Sequence, residues 1–392
     1  MPLVSRIARA RGCLLGLAVG DALGAPLEGL SAQQIKAHYG QVVDYVDGAR
    51  AWKKKPYRWR LPGLYSDDTQ QALALADCLL QRQRVEPVRL AELYLELAAP
   101  KGSYQGAHRG LGRSFRLVLG DLQRGVDPAL TGQDSAGIGA AMRIAPVGLH
   151  HLDEPEGLFE SVMAASLMTH RDIRSLAGAL AVAAAVRRLL AGEPRTPSLL
   201  LRLAAEVARA EERISNEFGG LVLGLDRYRR SMSTAIAHAE ALVDCARDRA
   251  LTALVEEANR QGAAPACRRA TMGFPPALIP TCLYLLLTTD SFEEALIEVV
   301  NHGGDADTAG AILGAMAGAH YGADAIPATW LHRLENHQGI ALRAEALLQH
   351  STAGLPPIPD LIETERGLSQ REEECRKALQ TQCGNLGANR QF

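Results

Sequence analysis

The chain has 392 residues, of which 47% are hydrophobic, and its 42 basic and 44 acidic residues give a formal net charge of −2. This length holds one large domain or two ordinary ones, and the apolar content supports a full core, which excludes a chain disordered by composition. The near-neutral charge argues against a general nucleic-acid binder, because such proteins need a basic surplus.

The cysteines and the N-terminal segment indicate the cellular compartment in which the protein is expected. The seven cysteines are odd in number and include no Cys-x-x-Cys spacing, so neither a zinc site nor a disulfide framework is expected. Met1–Arg6 does not lead into an apolar run with a small-residue cleavage site, and no charge-free apolar run reaches membrane length. We therefore expect a cytoplasmic protein that does not associate with a membrane.

Helical patterns dominate the chain, and residues 70–82 illustrate them by placing Ala72, Ala76 and Leu79 on one face. Only Gln41–Val46 alternates like a strand. No unit of about 20–50 residues recurs, which excludes a helical solenoid. We predict an all-α fold. The predicted helices, in chain order, are residues 6–20, 70–82, 88–99, 109–123, 158–170, 173–191, 197–211, 232–259, 277–288, 291–300, 308–320 and 328–348.

Proline and glycine mark a boundary near the C-terminus. The segment Gly354-Leu355-Pro356-Pro357-Ile358-Pro359 lacks the N–H donors that a helix needs. We predict one domain over residues 1–350, followed over residues 351–392 by a proline-containing linker, a polar helix and a frayed tail. Residues 192–275 are the most weakly patterned and could hold an insertion.

The first segment with candidate chemistry is Gly16–Glu28, in which Pro26 ends a helix and leaves Glu28 on the following loop. Glu28 is either a solvated side chain or part of a site. A basic segment follows it, and it is either a solvated loop or a surface for an anionic substrate. Its basic residues are Lys53, Lys54, Lys55, Arg58 and Arg60, and the aromatic residues between them are Trp52, Tyr57 and Trp59.

The second segment is Ser66-Asp67-Asp68-Thr69, at the start of a predicted helix. Ser66 or Asp67 could simply cap that helix. Two adjacent carboxylates also repel each other, so the pair either raises the pKa of one member or binds a cation.

The third segment is the loop Ser135-Ala136-Gly137-Ile138-Gly139, which runs into a short helical pattern. Such a loop can contact a diphosphate through backbone N–H groups. It lacks the Gly-Lys-Ser/Thr of a Walker loop and the preceding strand of a dinucleotide fingerprint. His170, at the end of a predicted helix, is either a capping or core residue or a substrate contact.

The fourth segment is Gly303-Gly304-Asp305-Ala306-Asp307-Thr308, which leads into an apolar helix. Asp307 or Thr308 could cap this helix, but the two glycines can adopt positive φ and let the backbone approach a ligand closely. The two acidic segments offer only oxygen donors, which suit Mg²⁺ or Mn²⁺. We predict one site, with a plausible pair of ions, assembled from both ends of the chain.

In this order, the segments resemble those of the ADP-ribosylglycohydrolase family, which includes the dinitrogenase reductase-activating glycohydrolases and the ADP-ribosylarginine and ADP-ribosylserine hydrolases. The motifs that carry the resemblance are Gly16 to Glu28, Ser66 to Thr69, Gly137 to Pro146 and Gly303 to Gly310. The resemblance covers residues 8–350 and implies a compact orthogonal helical bundle with two Mg²⁺ or Mn²⁺ ions in a cleft. It implies that Glu28 lies on a mobile loop that reaches the metal or the substrate, and that Ser135 to Gly139 and His170 contact ADP-ribose. The metal ligands that it implies are Ser66, Asp67, Asp68, Asp305, Asp307 and Thr308.

Two positions depart from the family pattern. Ile138 replaces a frequent Asn, which removes a polar contact to the nucleotide, and Arg171 replaces a frequent Pro or small residue after the histidine. Both departures concern the substrate and leave the metal ligands intact.

The resemblance implies a hydrolase that cleaves the C1″ glycosidic bond of ADP-ribose on a modified protein side chain such as arginine, with ADP-ribose as product. We expect Asp68 and Asp307 to matter most for catalysis, and Glu28 to act as a general base or a gate. The alternatives are a non-catalytic ADP-ribose-binding protein and a hydrolase of O-acetyl-ADP-ribose or ADP-ribosylated nucleic acid. We expect a monomer or a weak dimer.

Overall fold

The computed structural model describes residues 4–52, 55, 58–100 and 106–388, and side chains as far as residue 380. Within these ranges the regular structure is helical, with no strand and three isolated β-bridges, so the prediction of an all-α fold is confirmed. The α-helices are α1 (Arg6–Gly24), α2 (Ala32–Tyr39), α3 (Ala49–Trp52), α4 (Asp67–Arg82), α5 (Pro87–Ala98), α6 (Arg113–Gln123), α7 (Gly139–Met142), α8 (Ala145–His150), α9 (Leu158–Leu167), α10 (Ile173–Leu190), α11 (Pro197–Phe218), α12 (Leu225–Tyr228), α13 (Ser231–Glu240), α14 (Arg247–Arg260), α15 (Pro275–Thr288), α16 (Phe292–Asn301), α17 (Ala306–Tyr321), α18 (Ala328–Arg333), α19 (His337–Gln349) and α20 (Leu361–Ala388).

Two predictions of single long helices were wrong. The helix expected over residues 232–259 is divided into α13 and α14 by a turn, and both parts pack against α15. The helix expected over residues 328–348 is divided into α18 and α19 at Asn336, whose φ of 57° lies in the left-handed region that asparagine tolerates better than most residues.

The strand-like segment around Val42 is a loop, because the side chain of Asn301 satisfies its backbone. The Val42 N–H donates to Asn301 Oδ1 at 2.9 Å, and Asn301 Nδ2 donates to the Val42 carbonyl at 2.8 Å. Helix α2 was missed, although Ser31 and Gln34 form a capping box that the sequence already contains.

A seam of small residues joins α1 to α17, and it determines where the functional site lies. The two helices run antiparallel, because Gly12 faces Gly318 and Gly24 faces Ala306. A Cβ added to Gly16 would lie 2.2 Å from the Gly314 carbonyl oxygen, so the backbones are in direct contact. The seam therefore brings the end of α1 against the beginning of α17.

Helix α1 with its adjoining turn, Arg6–Leu27, is the one helix of the described ranges that is long and apolar enough to cross a membrane by length and composition. In the protein, 94% of an apolar 18-residue window within this stretch is buried. It serves as the central helix of the core and packs most extensively against α17.

We expect Gly16→Ala to lower the free energy of unfolding by about 1–3 kcal/mol, because the added methyl group forces two helix backbones apart. Gly367→Ala is the matched control. Gly367 is exposed within α20 and has no neighbour within 4 Å of an added Cβ, so alanine there should stabilise its helix by up to ~1 kcal/mol. Denaturant unfolding measures both changes, and an equal effect at the two glycines would contradict the close contact of the seam.

The segment after residue 350 packs onto the main body of the protein. Helix α20 contacts α4 and α5, and Leu361, Ile362 and Leu368 belong to the same hydrophobic core as α1. This packing places buried polar groups of α20 next to the beginning of α4.

Candidate active site

A cleft with room of about 190 Å³ for water-sized molecules lies where α1 ends and α17 begins. Its walls come from five further segments: the loop after α1, the first turn of α4, residues 110–115, residues 137–143, and His170. The predicted site residues that line it are Glu28, Asp67, Asp68, Gly137, Ile138, Gly139, His170, Asp305, Asp307 and Thr308. The other predicted residues, Ser66, Ser135 and Ala136, do not line the cleft.

The beginning of α4 combines a cap with two carboxylates that face the cleft. Ser66 is the N-cap residue, its Oγ accepts from the Asp68 N–H at 3.4 Å, and it donates to Asp68 Oδ2 at 3.2 Å. The capping prediction is therefore confirmed for Ser66 and not for Asp67, whose Oδ2 instead accepts from Gln71 Nε2 at 2.8 Å.

Asp21 binds the first turn of α4 through hydrogen bonds, and this role was not predicted from the sequence. Its carboxylate accepts from the Ser66 N–H at 2.8 Å, and from the Thr69 N–H and hydroxyl at 3.0 and 2.6 Å. Asp21 is fully buried. A charged residue in the last turn of the apolar helix α1 was the available signal, because such a residue is seldom buried without partners.

The beginning of α17 is held against the Glu28 loop by two glycines. Gly303 and Gly304 have φ of 67° and 75°, and a Cβ on Gly303 would lie 2.3 Å from the Leu30 carbonyl oxygen. The Gly304 N–H donates to that same oxygen at 2.8 Å, and the Gly29 N–H donates to the Gly304 carbonyl at 2.7 Å. Asp305 occupies the N-cap position of α17, but its side chain makes no capping bond.

Burial and mutual repulsion raise the pKa of the four cleft aspartates. Burial, followed by the charges of Asp21 and Glu28, raises the pKa of Asp67 to about 7. Burial and then Glu28 raise the pKa of Asp305 to about 6. The pKa values of Asp68 and Asp307 are raised well above the usual range, first by burial and then by the surrounding carboxylates. The cluster thus holds either protons or a cation.

The donor chemistry of this cluster fits divalent cations. The atoms that the cluster offers are carboxylate and hydroxyl oxygens, which are the donors that suit Mg²⁺ and Mn²⁺. Asp68 Oδ1 is buried and has no hydrogen-bond partner, so it is an acceptor left open for an ion. Within residues 4–52, 55, 58–100 and 106–388, no three Asp, Glu, His or Cys side chains are already arranged as a ligand set.

The glycine-containing loop forms the opposite wall. The Ser175 hydroxyl donates to the carbonyls of Ser135 and Gly137 at 3.0 and 2.8 Å, which fastens the loop to α10. His170 lines the cleft next to this loop, and a Cβ on Gly139 would lie 3.0 Å from its Cε1. Burial and the Arg143 charge lower the pKa of His170 to about 3. Its imidazole is therefore neutral and can offer a hydrogen bond but no positive charge.

Arg143 connects the two walls, a role that the sequence reasoning did not identify. Its guanidinium donates to Gln71 Oε1 at 2.8 Å, and Gln71 in turn holds Asp67. It also donates to the Thr169 hydroxyl, which is 2.9 Å from His170 Nδ1. Arg143 is buried, and its Nε has no hydrogen-bond partner.

The two departures from the family pattern lie in different surroundings. Ile138 lines the cleft, whereas the Arg171 side chain donates to the Leu130 carbonyl at 2.8 Å and does not contribute to the lining. Only the Ile138 departure therefore bears directly on the cleft.

The described part of the basic segment packs against the Glu28 loop. Arg58 donates to the Glu28 carbonyl at 3.1 Å and lies over the ring of Trp52, while Trp52 donates to the Pro26 carbonyl at 2.9 Å. Lys53, Lys54 and Tyr57 lie outside the described residues.

Comparisons of sequence and structure relate the chain to known proteins. The family model of the ADP-ribosylglycohydrolases matches residues 2–355. The ADP-ribosyl-[dinitrogen reductase] glycohydrolase of Rhodospirillum rubrum is 30% identical over 88% of this chain and 97% of its own length. The ADP-ribosylarginine hydrolase Tri1 of Serratia proteamaculans is 24% identical over 86% of this chain and 78% of its own length. A solved ADP-ribosylglycohydrolase-related protein complex has a TM-score of 0.63 and 30% identity, covering 89% of this chain and all of that one.

Proposed function

Because the chain belongs to the ADP-ribosylglycohydrolase family, a family of enzymes, we propose that it releases ADP-ribose from an arginine side chain of a modified protein, with Mg²⁺ or Mn²⁺ as cofactor. The observation that carries the proposal is a cluster of four aspartates, of which Asp67, Asp68 and Asp307 are buried, in one cleft with a glycine-containing loop. The acidic wall suits metal ions, and the glycine-containing wall suits the diphosphate of a nucleotide.

The reaction proposed is hydrolysis of the bond between C1″ of the ribose and a guanidine nitrogen. Water supplies a hydroxyl group to C1″ and a proton to the departing nitrogen, so the products are ADP-ribose and unmodified arginine. Positive charge develops at C1″ as this bond breaks. Buried carboxylates next to the sugar favour that charge electrostatically.

Each residue has a proposed role. Glu28 lies at the cleft, is only partly buried, and is placed to accept the proton of the attacking water. The oxygen atoms of Ser66, Asp67, Asp68, Asp305, Asp307 and Thr308 would hold the ions. When bound, such ions polarise water and bind sugar hydroxyls. The backbone of Gly137 to Gly139 contacts the diphosphate, and neutral His170 orients the loop or the nucleotide.

Arginine is the proposed acceptor because the Glu28 side of the cleft is acidic. A guanidinium group beside Glu28 and the aspartates gains favourable electrostatic contacts, which a neutral serine linkage does not. The name of the Serratia relative, an ADP-ribosylarginine hydrolase, supports the same choice. We further propose a cytoplasmic location, which fits the six free cysteines among the described side chains.

A panel of substrates with defined linkages tests the proposal. ADP-ribosylarginine protein should release ADP-ribose at least about 10-fold faster than ADP-ribosylserine protein, O-acetyl-ADP-ribose or ADP-ribosylated nucleic acid, a difference of ~1.4 kcal/mol in the barrier. A chelator should abolish release, and Mg²⁺ or Mn²⁺ should restore it. Preference for another linkage would reassign the acceptor, and full activity in the chelator would contradict the metal requirement.

A further inference from the structure

Helix α20 lies outside the family match, which ends at residue 355, yet it places a carboxylate inside the protein next to the cleft. Glu365, one turn into the helix, is 0% exposed. A buried carboxylate is unfavourable unless several donors surround it. The partners of Glu365 therefore indicate what α20 holds in place.

Both oxygens of Glu365 are occupied by residues close to the acidic turn of α4. Oε2 accepts from Gln70 Nε2 at 2.8 Å and from the Arg109 guanidinium at 2.7 Å, and Oε1 accepts from the Tyr65 hydroxyl at 2.5 Å. Tyr65 immediately precedes Ser66, and Gln70 lies two residues after Asp68. Glu365 thus contacts both sides of the turn that carries Asp67 and Asp68.

Arg109 extends this network to a second wall of the cleft. Its Nε donates to the Tyr65 carbonyl at 2.9 Å, and its backbone N–H donates to Gln70 Oε1 at 2.9 Å. A further guanidinium nitrogen donates to Ser369 Oγ at 2.6 Å, and Ser369 donates to the Ala107 carbonyl at 2.6 Å. Two residues of α20, one turn apart, therefore hold the segment 107–109.

The residue after Arg109 lies against the acidic cluster. A Cβ on Gly110 would be 3.1 Å from Asp67 Oδ1, and Gly110, Gly112 and Phe115 line the cleft. Because this contact is so close, a displacement of Arg109 changes the space around Asp67 directly.

We propose that α20 positions the acidic turn of α4 and the wall formed by residues 107–115 relative to each other, with Glu365 as the positioning residue for the reaction. Glu365 does not itself line the cleft, so it acts through Arg109, Tyr65 and Gln70. The activity readout of this inference rests on the proposed function, whereas its structural readout does not.

The test compares Glu365→Gln with Glu363→Gln, an exposed glutamate two residues earlier on the same helix. Glutamine keeps the shape of Glu365 but replaces an acceptor oxygen by an NH₂ group, so at least one of the three donors loses its acceptor. Hydrogen exchange of backbone amides is measured first, followed by kcat and KM for release of ADP-ribose from ADP-ribosylarginine protein.

For Glu365→Gln we expect faster exchange confined to residues 64–71 and 107–115, and a kcat lowered about 10-fold to 100-fold, as misplaced catalytic groups produce. Glu363→Gln should change neither. Exchange that becomes faster evenly along the chain, with unchanged kcat and KM of the folded protein, would show that α20 only adds stability and would overturn the proposal.

Ser369→Ala decides the question if Glu365→Gln does not fold, because it removes one contact of Arg109 and leaves the ion pair intact. The same localised exchange and a several-fold lower kcat are expected, and exchange and kcat that match the unsubstituted protein would overturn the proposal. If the unsubstituted protein releases no ADP-ribose from any linkage, the proposed function fails, and the exchange pattern alone decides the role of α20.

Discussion

Asp307→Asn should lower the rate constant for ADP-ribose release at least about 100-fold, since even groups that only orient metal ligands account for 10–100-fold. Asp307 is buried at the beginning of α17, and the charges of Glu28, Asp305 and Asp68 act on its carboxyl group. Asparagine keeps the size of the side chain but removes a charge from the centre of the cluster. Single-turnover release, followed at saturating Mg²⁺ or Mn²⁺, measures the effect.

Asp290→Asn is the control for this substitution, because Asp290 is exposed and lies before α16, outside the cleft lining. It should leave release unchanged. The two variants should also differ in the unfolding temperature of the metal-free protein. Asp307→Asn should raise this temperature, because it relieves repulsion among buried carboxylates. Release by Asp307→Asn at the rate of the unsubstituted protein would show that Asp307 has no part in the reaction.

The metal-free protein should lose stability as the pH rises from about 4 to about 7, by up to ~1.4 kcal/mol per pH unit for each cleft carboxyl group that keeps its proton in the folded state after the unfolded chain has lost it. The pKa values of Asp67 and Asp305 are raised to about 7 and about 6, above those of the unfolded chain. The folded state therefore holds more protons than the unfolded state in this range. The contribution of each group is fully present below the unfolded pKa, declines as the pH rises from there to the folded pKa, and is lost above it.

The measurement is the difference in free energy of unfolding between chelator and saturating Mg²⁺ at each pH. The difference isolates the cleft, because a bound cation replaces the protons there and should flatten the decline. Burial also raises the pKa of Glu211 to about 7. Glu211 does not line the cleft and accepts hydrogen bonds from Met232 and Ser233 at the beginning of α13. Its titration therefore affects the measurements with chelator and with Mg²⁺ equally and cancels in the difference. Parallel pH profiles with and without the cation would contradict a cation site among these aspartates.

The sequence was sufficient to predict both acidic segments and the loop from Ser135 to Gly139, because each combines local signals. Glycines, a capping hydroxyl and adjacent carboxylates indicate local backbone conformation and local charge without any knowledge of the tertiary fold. The all-α class followed from periodicity in the same way. The ends of the helices were harder to predict. The division between α18 and α19, for example, depends on the single residue Asn336, which adopts the left-handed conformation.

The residues that were missed act through partners distant in sequence. Asp21 holds the turn at Ser66, Arg143 joins Gln71 to Thr169, and Glu365 joins Arg109 to Tyr65. A buried charge can be suspected when it interrupts an apolar pattern, as Asp21 does. Its partners cannot be predicted from one sequence, because they depend on how the helices pack.

The seam between α1 and α17 also has a consequence for synthesis. On the ribosome α1 emerges first, whereas the helix that covers its glycine face is made only after most of the chain, beginning at Ala306. Contacts between the two ends of a chain form slowly because a long loop must close. Until then the glycine face of this long apolar helix remains uncovered and prone to association. Folding of this enzyme in the cell should therefore depend on chaperones that shelter its first helix.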